Sequence, residues 1–104
     1  GKMILKPLQI IWSESAISDL KIICDWILEM SDSEETSERI RTKIIKKSKR
    51  IIFPEQYQTD ETLGTPYRRM FVSHYKIVYK QDNENIIHIL KIFDTLQDPQ
   101  KIKK

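Results

Sequence analysis

The chain has 104 residues, 39% of them hydrophobic and 32% charged, with a formal net charge of +3. That length supports one modest core, and the balance of apolar and charged residues excludes a disordered chain. No apolar run nears the roughly 20 residues that cross a bilayer, and no signal-peptide core opens the chain, so a single cytoplasmic domain over residues 1–104 without membrane contact is expected. The mild excess of base permits an acidic or nucleic-acid partner without demanding one. Cys24 is the only cysteine, which excludes an internal disulfide. With His74 and His88 far from it in sequence, no metal-ligand pattern and no cofactor motif are recognisable.

Leu8 to Trp12, apolar and β-branched after Pro7, predicts a first strand. Ser13 then offers a helix N-cap, with Glu14 well placed in the first turn. Ala16, Ile17, Leu20, Ile23, Cys24, Ile27 and Leu28 recur at three- and four-residue steps, one face of an amphipathic helix. This places Cys24 as a buried, inert thiol. Ile22, Trp26 and Met30 form a second stripe, so the helix is expected to touch both a sheet and another helix.

Asp32 with Glu35 resembles a capping box, and a second helix is predicted from there to about Ile52, stopped by Pro54. Its apolar face is Ile40, Ile44, Ile45, Ile51 and Ile52, with Ser37 and Ser48 as small residues where helices can approach. The short connection predicts an antiparallel hairpin. Arg39, Arg41, Lys43, Lys46, Lys47, Lys49 and Arg50 occupy the remaining surface. A solvated face that complements the helix C-terminus explains them before an acid-binding flank does.

Pro54 to Pro66 is a polar loop. Three strands follow: Tyr67 to Ser73, Tyr75 to Gln81 as its hairpin partner, and Ile86 to Phe93 after the turn Asp82-Asn83-Glu84-Asn85. The last strand is apolar on both faces and is expected to be central. Tyr75 and Tyr79 share a face, which core packing explains. His74 falls in the hairpin turn, and His88 reads as a half-buried, hydrogen-bonded histidine. Asp94 to Lys104 reads as a tail with a basic end.

The order of these elements resembles the RelE/ParE superfamily of bacterial type II toxins. IIWSESAISDLKIICDWI is similar to its opening strand and first helix, YRRMFVSHYKIVY to its central hairpin, and IIHILKIFDTLQDP to its last strand and tail. The resemblance implies an α+β fold, β-α-α-β-β-β, with a twisted, mostly antiparallel four-stranded sheet and a helical hairpin packed on one face. It also implies a cognate antitoxin and, in a plasmid-stabilisation setting, growth inhibition. Two targets follow from the two branches: DNA gyrase for ParE-like members, and messenger RNA on the ribosome for RelE-like endonucleases. A homodimer and a non-toxic binding module with the same fold are further expectations.

RNA cleavage through a 2′-hydroxyl needs a base, cations for the phosphorane charge and an acid for the leaving oxygen. By the resemblance, Arg69 and Lys76 match two basic positions of the nuclease branch, although a lysine lacks the guanidinium fork. Leu96 stands where a tail arginine is expected, and no His or Tyr follows it. This favours the ParE-like, non-enzymatic branch. Arg68, Arg69, Lys76, Lys91 and Asp94 are the candidate contacts with target or antitoxin, and Arg69 with Lys76 would serve catalysis if the chain were a nuclease. The pair is expected on the sheet face away from the helices or at its edge. An acidic antitoxin segment is expected on the basic flank of the second helix and on the basic C-terminal end.

Overall fold

The structure is a computed structural model that describes residues 7–96. The chain runs β1 (Gln9–Trp12), α1 (Glu14–Ser31), α2 (Glu34–Ser48), a 3-10 turn (Pro54–Gln56), β2 (Arg68–Val72), β3 (Tyr75–Asn83) and β4 (Ile86–Asp94). The strands form one sheet in the order β1-β4-β3-β2. β1 is parallel to β4, and the other two pairings are antiparallel. The helical hairpin covers one face, so the fold is the expected α+β arrangement with β4 inside the sheet. No helix of the described residues is long and apolar enough to cross a membrane.

Ser13 starts α1 as predicted, its hydroxyl accepting the Ala16 N–H at 3.0 Å. The same hydroxyl donates to the Leu90 carbonyl at 3.0 Å, which fixes the helix start against β4. One turn on, Asp19 accepts the Ile92 N–H at 2.9 Å, beside the register shift of β4 opposite Val78 and Tyr79. The core is then built from Ala16, Leu20, Ile23, Cys24 and Ile27 of α1, Ile44 of α2, and Met70, Val72, Tyr75, Ile77, Tyr79, Ile87, Ile89 and Ile92 of the sheet. Ser37 is buried where α2 meets α1, its hydroxyl donating to the Cys24 carbonyl at 2.8 Å. A larger side chain there would part the helices.

Several sequence expectations are corrected. The N-cap of α2 is Ser33, which accepts the Thr36 N–H, and not Asp32. Asp32 instead ends α1 in the left-handed region, φ 54°, which an Asp side chain tolerates. α2 stops at Ser48 rather than Ile52, because Ile51 leaves the helix to enter the core while Ile52 stays 73% exposed. Ile17 and Leu28 lie outside the buried stripe of α1, and Ile22, Trp26 and Met30 meet solvent instead of a second helix. β3 and β4 are longer than read, reducing their turn to Glu84 and Asn85 and taking Asp94 into the strand. The tail beyond Leu96, with its basic end, lies outside the described residues.

Candidate functional site

Strand alternation decides what each face of the sheet offers. In β2, Met70 and Val72 are buried beneath the helices, so Arg69 and Phe71 take the opposite, open face. The register sets Lys76 across from Phe71 on one side and from Phe93 on the other. Arg69 and Lys76 therefore share the open face. Three cations there lie over rings: Arg69 5.0 Å from the Phe71 centroid, Lys76 5.4 Å from Phe93, and Lys80 5.7 Å from Tyr67. Such contacts hold long basic side chains flat on a sheet.

The loop before β2 then closes over two of these cations. It runs beside β2 through the bridge Thr59 to Arg68, and the Arg69 N–H donates to the Gln58 carbonyl at 3.0 Å. Asp60 is fully buried and accepts the N–H groups of Thr62 and Leu63 at 3.0 and 2.8 Å. The turn is completed at Gly64, whose φ of +72° suits a residue without Cβ. Lys76 Nζ stands 2.9 Å from Asp60 Oδ1 and 3.5 Å from Glu61 Oε2. Arg69 Nε donates to Glu61 Oε1 at 2.9 Å, and its Nη2 to Gln58 Oε1 at 2.9 Å. Burial pushes the Asp60 carboxyl up, but Lys76 and the Leu63 and Thr62 amides outweigh it and leave the group below its ordinary value. The Arg69 guanidinium likewise lowers Glu61.

Lys76 is thus held by a buried carboxylate, whereas Arg69 is held by Glu61, whose side chain is 60% exposed. A rotation of Glu61 would free Arg69 for another anion. Asp60 and Glu61 were missed in the sequence because the loop reads as merely polar. The signal was an Asp followed by Thr62 and Gly64, the composition of a side-chain-to-backbone turn.

The remaining candidate residues do not join this pair. Arg68, next to Arg69, points to the helix side and donates to the Tyr57 carbonyl at 2.7 Å. Lys91 reaches α1, bonding Ser15 Oγ at 3.1 Å and Asp19 Oδ1 at 3.2 Å. Asp94 lies 3.4 Å from His74 Nε2 and accepts the Leu96 N–H. His88 Nε2 faces Asp82 at 3.5 Å.

A groove of about 690 Å³ lies elsewhere, between β1 and the two helices. Ile10, Trp12, Ile17, Leu20 and Ile45 line it, and Lys21, Arg41 and Lys49 stand around it with Asp25. Asp25 is paired with Lys21 at 2.8 Å. In α2 the charges divide along the helix. Arg39 and Arg41 have Glu35 and Glu38 beside them, at 3.8 and 3.3 Å. On the far side of the helix, Lys43, Lys46, Lys47 and Arg50 surround a smaller cleft of about 260 Å³ floored by Phe71 and Val72.

Comparison with known proteins gives this fold a relative. A solved structure described as the chromosomal ParDE TA system from P. aeruginosa superposes with a TM-score of 0.71 at 17% identity, covering 84% of this chain and 95% of that one. No curated protein matches the sequence. The family model for the ParE toxin of the type II toxin-antitoxin system, parDE, matches residues 10–99. That match spans both helices and all but the first residue of the sheet, and by it this chain belongs to the ParE toxin family of type II toxin-antitoxin systems.

Proposed function

We propose that the chain is a ParE-like growth inhibitor that acts on DNA gyrase without cutting RNA. The observation that carries this reading is the state of the open sheet face. The two cations that an RNA-cleaving centre would aim at a phosphate, Arg69 and Lys76, are bonded to Gln58, Asp60 and Glu61 of the chain's own loop. Cations neutralised this way offer little to a developing phosphorane charge. Both histidines stand beside carboxylates, His74 with Asp94 and His88 with Asp82, away from that pair. Membership in the ParE family supports the same target.

The partner in this reading is an acidic, amphipathic antitoxin segment crossing the C-terminal half of α2. Its apolar side fits the groove beside β1, and its carboxylates meet Arg41 and Lys49 on one side of α2 and Lys43, Lys46, Lys47 and Arg50 on the other. Purified toxin should block supercoiling by DNA gyrase and leave messenger RNA on programmed ribosomes intact. Cleavage at ribosomal A sites with unimpaired supercoiling would reverse the assignment in favour of the endonuclease.

A further inference from the structure

We propose that the solvent-facing side of α1 binds the apolar face of a basic amphipathic helix from another protein, at a site separate from the groove beside β1. Ile22, Trp26 and Met30 stack at four-residue intervals and are 63%, 46% and 66% exposed. Two clefts of about 360 and 550 Å³ adjoin them, and both are lined by Trp26 and Asp94. The clefts therefore form one trough, from Asp19 at one end to Met30 and Leu96 at the other. At the helical rise the span from Asp19 to Met30 is about 17 Å, or three turns of a docked helix.

Backbone chemistry selects the shape of the occupant. Of the strands that border the trough, β3 is paired on both sides, and β4, which meets β1 only as far as Ile89, has its Leu90 carbonyl and Ile92 N–H taken by the Ser13 and Asp19 side chains. The short β4 edge left there is partly occupied by α1, so a segment that satisfies its own N–H and C=O groups, as a helix does, suits the site better than an added strand. Charge selects its flanks. Asp19, Asp94 and Glu29, one turn beyond Trp26, border the stripe, against Lys91, which is bonded to Asp19, and His74 beside Asp94. This acidic border on a chain of net charge +3 favours lysines or arginines beside the docked apolar face. The same acidic border on a second copy would oppose pairing of α1 with itself. Trp26, flanked by clefts on both sides, has the makings of the anchor residue.

The test uses the whole chain and a fluorescein-labelled designed helix of about 14 residues, with leucines at three- and four-residue steps and lysines on the flanks. A second peptide carries glutamates in place of the lysines. Fluorescence polarisation should show the lysine peptide binding at least about tenfold more tightly than the glutamate peptide, and Trp26→Ala weakening it by about tenfold or more. Ile22→Ser should weaken it too. Arg41→Glu, in the groove beside β1, should leave it unchanged, which separates this site from the antitoxin seat. Equal affinity of the two peptides, or indifference to both substitutions, would overturn the proposal. So would a dimer in sedimentation equilibrium that Trp26→Ala dissolves, or Trp26-dependent binding to phosphatidylglycerol vesicles, since each would identify a different occupant.

Discussion

Replacing Asp60 by alanine tests how the loop before β2 is held. The substitution removes two side-chain-to-backbone hydrogen bonds, from Thr62 and Leu63, and the carboxylate 2.9 Å from Lys76. Each hydrogen bond contributes about 1 kcal/mol net. Breaking a buried ion pair costs about 3–5 kcal/mol when its partner is stranded. Lys76 is not fully stranded, because Glu61 lies 3.5 Å away. A loss of about 3 kcal/mol follows, on the order of 15 °C in melting temperature for a domain of this size. Asp60→Asn keeps an oxygen for the two amides and loses only the charge, so its cost should be about half as large. Combining Asp60→Ala with Lys76→Met should recover about 1 kcal/mol or more relative to the single alanine variant, because no buried charge is left alone. The pH dependence has a fixed sign. The folded state lowers the Asp60 carboxyl, so its contribution is complete above about pH 4, the ordinary carboxylate value, and is lost as pH falls below it through the folded value. Wild type should lose stability more steeply than Asp60→Asn in that acid range, with Glu61 supplying the slope that remains. Urea unfolding followed by circular dichroism measures all of this. An Asp60→Ala variant within about 0.5 kcal/mol of wild type would refute the reasoning.

Arg69→Ala and Lys76→Ala should behave differently although both residues lie on one face. Lys76→Ala orphans the buried Asp60 and should melt several degrees lower, while Arg69→Ala, bonded to the exposed Glu61, should stay within about 1 kcal/mol in a thermal melt. If Arg69 serves target or antitoxin binding, its alanine variant should lose toxicity or affinity in that folded state, read in a growth assay and by calorimetry. Cys24 is 1% exposed, and burial raises its pKa, so native thiol labelling should be slow and Cys24→Ala should cost on the order of 1 kcal/mol. Association with the acidic antitoxin segment should slow as salt is raised, and Lys46→Glu with Arg50→Glu should flatten that dependence in stopped-flow measurements.

What was legible in the sequence follows from periodicity. The start of α1 was readable because Ser13 precedes an apolar pattern at helical spacing, and the structure adds only that its hydroxyl also holds Leu90. β4 was readable as an inner strand because Ile87, Ile89 and Ile92 fill the core while Ile86, Leu90 and Phe93 are also apolar. The end of α2 was not readable. Ile51 and Ile52 continue the apolar pattern in sequence, and only the core decides that one is buried and the other is not. The resemblance points to Arg69 and Lys76, but residue type alone does not say which way Arg68, Lys91 and Asp94 turn. Alternation separates Arg68 from Arg69, and only a tertiary contact reveals that Asp60, 16 residues before Lys76, is its partner.

The two stripes of α1 show why periodicity stops short of function. Both repeat at the same spacing and with the same kind of residue, so local sequence cannot rank them. Burial is assigned by what stands opposite. The Leu20, Ile23, Cys24 and Ile27 side faces a sheet with Ile77, Ile87 and Ile89 beneath it, while the Ile22, Trp26 and Met30 side faces none. A core of this size takes one face of each helix. An apolar residue on the other face stays in water at a cost of roughly 1.5–3 kcal/mol relative to burial for a large side chain. Three such residues in one row, beside two clefts with acidic borders, make a surface whose free energy falls when it is covered. The groove on the opposite side of the same helix has a mostly cationic border. One helix therefore presents two apolar seats of opposite electrostatic character, and a segment whose charges suit one of them is repelled by the other.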